Sequence, residues 1–203
     1  MTHNILIITG GQIPYHKYPE SAKVLAEALR STGMTVTTTQ DASAAKDLGA
    51  YDALVLFTDG DYFDDVELES IIGFVEGGKG LISIHTAAGT NKAHVGFGKL
   101  IGSRINGGVI EAHDVIVEND THAITKDVKP FRLDDEIHDL EPQTDYQTLL
   151  SALMKGKKQP LAYVKSAGKG KVVHFATGHS LAGLTQPDWQ KIFVRAVEFV
   201  CGI

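Results

Sequence analysis

The first hundred residues alternate two hydrophobic periods, and this alternation limits what the chain can fold into more than any other feature. Asn4 to Thr9, Met34 to Thr39, Ala53 to Phe57 and Leu81 to Ile84 are short β-branched or continuous apolar runs of the kind that form strands. Between them, Pro19 to Gly33 spaces Val24, Leu25, Ala28 and Leu29 at helical intervals. A second helix begins at Asp64-Asp65, carries Val66, Leu68, Ile71, Ile72 and Val75, and stops at Gly77-Gly78; His94 to Ile101 reads as a third. Strands separated by helices belong to a parallel sheet covered on its faces, because a parallel connection needs a long crossover. A continuous run such as Ala53 to Phe57 is what a strand buried on both faces requires.

The second half is less regular. Ala112 to Val117 and Phe131 to Leu133 are short strand candidates, and Leu161 to Lys165 and Lys171 to Ala176 flank the glycine-rich turn Ser166-Ala167-Gly168-Lys169-Gly170, which predicts a hairpin. Asp188 to Cys201 closes the chain as an amphipathic helix with Trp189, Ile192, Phe193, Ala196, Val197 and Val200 on its inner side. No repeat, linker or charge block divides these pieces, and 203 residues suit one core. The expected fold is therefore one α/β domain over residues 1–203: a flavodoxin-like three-layer sandwich with a mostly parallel sheet and an antiparallel extension in the second half.

The formal charge of −6 leaves no electrostatic footprint for nucleic acid. The single cysteine, Cys201, allows neither a disulfide framework nor a CxxC motif, which fits a reducing compartment and a cytoplasmic location. Ile5 to Ile8 is too short for the apolar stretch of a signal peptide, and no segment approaches the roughly 18 apolar residues of a membrane span. Membrane is therefore not an expected partner.

Open parallel sheets bind ligands outside the carboxyl ends of their strands. That rule selects Gly10 to His16, Thr58 to Asp61, His85 to Thr90 and Thr177-Gly178-His179. Three of these loops carry a histidine, so acid–base or metal chemistry is the first expectation. His85 follows a strand directly and precedes Thr86-Ala87-Ala88-Gly89, small residues that permit the tight turn of a nucleophile elbow. An imidazole there serves as base, acid or metal ligand but lacks the chemistry for a thioester; alternatively His85 caps the next helix. His16 lies behind Gly10-Gly11, which match neither GxGxxG nor a P-loop, so nucleotide binding is disfavoured. His16 can equally be an exposed loop residue, and His179 a packed turn residue. In Leu133 to Asp139, Glu136 and His138 are two apart and on an extended strand would share a side, where they could share a proton or a metal; a solvated acidic loop is the plainer alternative. Asp59 to Ser70 lacks the glycine and glutamate of a calcium loop. His174, inside a strand, reads as a satisfied core or surface histidine rather than a ligand, and His94, His113 and His122 have no constellation around them.

With these residues in hand, the chain resembles the trehalose-utilisation (ThuA-like) family, a branch of the class I glutamine-amidotransferase-like superfamily. The resemblance is carried by Ile5 to Gly11 with His16 and Pro19-Glu20-Ser21, Tyr51 to Leu56, Gly80 to Ala87, Phe97 to Arg104, His122 to Thr125, Asp135-Glu136, Gly168 to Lys171 and Gly178-His179. The chain departs from the family pattern at His138, where many relatives carry tyrosine, and at Gly107-Gly108, where many carry a histidine. The resemblance implies the flavodoxin-like fold, loss of glutaminase chemistry, and catabolism of trehalose or similar disaccharides at the level of 3-keto sugars. In that setting a ketone at C3 acidifies the C2 proton, and elimination at C1 followed by hydration, or isomerisation, becomes accessible. His85 or Glu136 is the expected base, His16 and His179 electrophilic partners or metal ligands, and His138 the second acid. Gly11, Asp59, Thr86, Arg104 and Asp135 are the expected substrate contacts. Imidazoles with one carboxylate suit a divalent metal such as zinc, although no cofactor follows from the sequence. The expected partner is a small-molecule carbohydrate, with a homo-oligomer left open. A non-catalytic carbohydrate-binding or regulatory subunit using the same crevice is the alternative.

Overall fold

The computed structural model describes residues 2–203. Its first half follows the hydrophobic pattern closely: β1 (Asn4–Gly10), α1 (Tyr18–Arg30), β2 (Thr35–Thr39), β3 (Ala53–Thr58), α2 (Asp65–Glu76), β4 (Gly80–Ile84) and α3 (Val95–Ile101). The second half comprises β5 (Ser103–Val117), β6 (Phe131–Pro142), β7 (Gln147–Met154), β8 (Lys157–Ala167), β9 (Gly170–Phe175), α4 (Leu181–Thr185) and α5 (Pro187–Cys201). The strands form one nine-stranded sheet in the order β2-β1-β3-β4-β9-β8-β7-β5-β6. From β2 to β9 neighbours are parallel; from β9 to β6 they are antiparallel. The antiparallel share is thus larger than short runs such as Phe131 to Leu133 predict.

Alternate residues of the parallel strands supply two cores. Ile5, Ile7, Val55, Phe57, Ile82 and Ile84 face α1 and α5, while Leu6, Ile8, Leu54, Leu56 and Leu81 face α2 and α3. Each such side chain stabilises the fold by about 1.5–3 kcal/mol on leaving water. Helix α2 starts where expected because Asp64 accepts from Glu67 N (2.8 Å) while Glu67 accepts from Asp64 N (2.9 Å), a capping box. The predicted hairpin is the β8–β9 turn, where Ala167 pairs with Gly170. Gly170 lies against the carbonyls of Val75 and Lys79, where a Cβ has no room, so the hairpin docks directly on the end of α2. Strands β5 and β6 form a long ribbon, paired from Ser103–Pro142 to Val115–Phe131, and β5 pairs with β7 at Ile116 and Val117. This ribbon returns across the carboxyl edge of the parallel strands. Among the described residues no helix is long and apolar enough to cross a membrane.

Candidate active site

Strand β4 ends at Ile84, and the next residue, His85, opens the short 3-10 turn His85–Gly89 with φ +52°. A non-glycine residue in this left-handed region costs about 1–3 kcal/mol, and such strain persists where the surroundings enforce it. The turn holds a fully buried imidazole at the sheet edge. Its Nδ1 lies 3.1 Å from the Ala176 carbonyl, which can only accept, so Nδ1 carries the proton and Nε2 presents a lone pair. That Nε2 is 3.3 Å from His179 Nδ1 and 3.5 Å from Glu136 Oε2. The ring stacks on His138, with centroids 4.4 Å apart and an interplanar angle of 14°.

His16 reaches the same point from the loop after β1. The Tyr18 hydroxyl donates to Asp59 Oδ2 and therefore accepts from His16 Nδ1 at 3.2 Å. Asp59 also accepts from the backbone N–H groups of Gln12 (2.7 Å) and Ile13 (3.3 Å), so one buried carboxylate anchors the whole loop. Gly11 lies against that carboxylate, where a Cβ would overlap it. The relay from Asp59 through Tyr18 to Nδ1 leaves His16 Nε2 bearing a lone pair, buried and without a hydrogen-bond partner among the described residues.

The antiparallel ribbon brings the remaining groups. On β6, Glu136 and His138 share one face as the two-residue spacing predicts, with Glu136 Oε2 3.6 Å from His138 Nε2 and 3.0 Å from His179 Nδ1. Asp135, on the opposite face, accepts at Oδ1 from the N–H groups of Glu136 (2.8 Å), Gly178 (3.0 Å) and His179 (3.0 Å), tying β6 to the loop after β9. Burial raises the Asp135 carboxyl pKa against the pull of these N–H groups. Burial also acts to raise that of Glu136, but the hydrogen bond and charge of His138 and the contact with His179 outweigh it, and the net direction is down. Burial, with the charge of His179, lowers His16 to about 4, and burial with the charge of His138 holds His85 well below its ordinary value. Near neutral pH the site therefore pairs an ionised Glu136 carboxylate with the neutral imidazoles of His16 and His85.

All five expected catalytic positions, His16, His85, Glu136, His138 and His179, thus meet at one place. Two overlapping triads, His16–His85–His179 and His85–Glu136–His138, each bring donor atoms within 4.8 Å of one another, close enough to hold a metal ion. The expected substrate contacts divide. Gly11 and Asp135 support the cluster from behind, and Thr86 and Asp59 line an open groove of about 470 Å³ beside it, together with Gln12, Tyr15, Gly60 and Ile105. Arg104 is turned away: its guanidinium donates to the carbonyls of Thr90 (3.2 Å), Asn91 (3.4 Å) and His94 (2.7 Å). Sequence reasoning misses Tyr18, whose only signal is its place two residues after His16, and Tyr15, which is 65% exposed beside His16 and His179 with centroids at 5.0 and 5.6 Å. His174 is buried, with Nδ1 3.0 Å from Ser83 Oγ, and His94 accepts from Phe97 N at 3.0 Å as the cap of α3.

A family model described as ThuA, trehalose utilisation, matches residues 4–200. No curated protein sequence matches the chain. Among solved structures, a ThuA-like protein from Parabacteroides merdae superposes with TM-score 0.88 at 18% identity, covering 99% of this chain and 90% of that one. A cytoplasmic protein from Salmonella typhimurium gives 0.75 at 17% identity, with 98% of each chain covered. A β-galactosidase from Rahnella gives 0.72 at 14% identity, covering 98% of this chain but 31% of the galactosidase. At these identities the likeness is one of fold.

Proposed function

Because this chain belongs to the ThuA (trehalose utilisation) family, we propose that it is a carbohydrate-catabolic enzyme that opens a 3-keto disaccharide, or a related keto sugar, by acid–base elimination and hydration. The observation that carries this reading is the position of Glu136 Oε2, within 3.0–3.6 Å of nitrogens of His179, His85 and His138 beside the 470 Å³ groove. Glu136 is the base that takes the proton from C2, leaving the electron pair as an enolate conjugated with the C3 ketone. Collapse of the enolate expels the glycosidic oxygen from C1, and that oxygen receives the same proton from Glu136, assisted by its partner His138. Water then adds across C1 and C2, so the net reaction is hydrolysis. Tyr15 offers an exposed aromatic face on which a sugar ring can stack, and Thr86 Oγ1, buried in the groove wall without a partner among the described residues, is available to a sugar hydroxyl.

The strand order β2-β1-β3-β4-β9 supports a flavodoxin-like reading of the parallel half. The description of the Salmonella neighbour as cytoplasmic supports placing this enzyme in the cytoplasm, acting on a small soluble sugar. The test is consumption of a 3-keto disaccharide by the purified protein. Wild type turns it over, and Glu136→Gln lowers kcat by about 10²–10⁴-fold, the range typical for loss of a general base. Tight binding without consumption by wild type sinks the enzyme reading and leaves a carbohydrate-binding subunit.

A further inference from the structure

We infer that His16, His85 and His179 hold one divalent first-row transition ion of the zinc type, through Nε2, Nε2 and Nδ1, with the ion's open side turned toward Glu136. The site itself stands on geometry; its use in the reaction rests on the function proposed above.

Four observations lead there. The first is spacing: metal–imidazole bonds of about 2.0–2.1 Å place tetrahedral donors about 3.3 Å apart. His85 Nε2 and His179 Nδ1 are 3.3 Å apart, and the donor atoms of all three histidines lie within 4.8 Å of one another. The second is the direction of the lone pairs. Ala176 O fixes the proton of His85 on Nδ1, and the Asp59–Tyr18 relay fixes that of His16 on Nδ1, so both free nitrogens are of the metal-binding kind, while His179 Nδ1, which donates to Glu136 Oε2 at 3.0 Å in the ion-free site, gives up that proton to bind. Outer acceptors of this sort are what orient histidine ligands in metal sites.

The third observation is an unmet need. His16 Nε2 is a buried acceptor with no donor among the described residues, which a cation satisfies directly. The fourth is chemical. An enolate oxygen forming beside Glu136 needs an electropositive partner, but His85 Nε2 and His16 Nε2 present lone pairs and cannot donate to it. An ion between them converts those lone pairs into a Lewis acid, with the oxygen taking the open position while Glu136 remains free to move the proton. Three imidazoles favour zinc or a neighbouring first-row ion over magnesium or calcium, which prefer oxygen donors.

The experiment uses untagged protein stripped by a chelator. Zinc is titrated against a chromophoric chelator, cobalt(II) is followed by its visible absorption, and folding of each variant is checked by urea denaturation. The expected result is one equivalent of zinc at sub-micromolar dissociation constant and a four-coordinate cobalt spectrum. His16→Ala and His179→Ala each weaken binding by about 100-fold or more, and Asp59→Asn, a positioning residue, by about 10–100-fold. Glu136→Gln binds the ion within a few-fold of wild type yet fails to turn over sugar. His16→Gln replaces His16→Ala if the alanine chain does not fold, and the cobalt spectrum of wild type is independent of any variant. Absence of stoichiometric binding overturns the inference, as does equal affinity in the histidine variants, or a greater loss in Glu136→Gln than in His16→Ala. Turnover by wild type without stoichiometric binding overturns the ion site and leaves the function standing. Stoichiometric binding without turnover does the reverse.

Discussion

His85 carries two burdens at once, a left-handed backbone and a fully buried imidazole whose Nε2 faces two other polar groups. Asparagine tolerates that backbone region better than most residues. His85→Asn is therefore expected to keep a thermal midpoint within a few degrees of wild type while losing turnover by about 100-fold or more, since it removes one of the three inferred ligands of the ion. A collapsed midpoint would show that the imidazole is needed for folding instead. Tyr18→Phe isolates the relay: the ring stays packed, His16 Nδ1 loses its acceptor, and catalysis falls by about 10–100-fold with little change in the urea midpoint. At this scale the sequence was informative about histidines, because the sheet-edge rule and a two-residue spacing select side chains by position alone. It was silent on Tyr18 and Asp59 as a relay, since a contact between residues 18 and 59 depends on how two loops pack and has no local signature.

Arg104 and Gly170 make the argument for elements. The Arg104 guanidinium closes the segment leading into α3 by donating to three carbonyls, and Gly98 on α3 leaves it room. Arg104→Lys is expected to lower stability by about 1–3 kcal/mol, the usual consequence of leaving buried carbonyls unsatisfied, with KM for sugar within twofold of wild type. A large rise in KM with unchanged stability would return Arg104 to the substrate. Gly170→Ala forces a Cβ toward the Val75 and Lys79 carbonyls, and loss of hairpin docking should cost about 2 kcal/mol or more by chemical denaturation. The parallel elements were legible because strands buried on both faces read as apolar runs. The ribbon was not: β5 alternates buried ends with an exposed middle around Gly107-Gly108, and β6 interleaves Leu133, Ile137 and Leu140 with acidic residues, so neither shows a clean period. Strand β7 escaped for a related reason, since Ser151 interrupts its apolar character although it is buried.

For the whole molecule, burial of neutral histidines sets a pH dependence with a defined sign. His16 (about 4) and His174 (about 3) have folded pKa values below the ordinary 6.5, and His85 shifts the same way. The unfolded chain therefore binds more protons below pH 6.5, and stability falls as pH drops toward 4, by about 1.4 kcal/mol per pH unit for each such histidine. The raised Asp135 carboxyl works in the opposite sense, relieving a penalty as it protonates, while Glu136 adds stability that is lost on acidification. Urea midpoints of ion-free protein should decline steadily between pH 7 and pH 5, and His174→Gln should flatten that decline; a flat wild-type profile would refute the buried-histidine account. The site also draws on residues from 16 to 179, taking His16 and His85 from the segments that follow β1 and β4, Glu136 and His138 from the ribbon, and His179 from the loop after β9. Contacts of such long sequence separation form late and slowly during folding. After dilution from denaturant, helical signal from α1, α2 and α5 should recover first and activity last, so that regained turnover serves as a clock for the final docking of the ribbon onto the sheet.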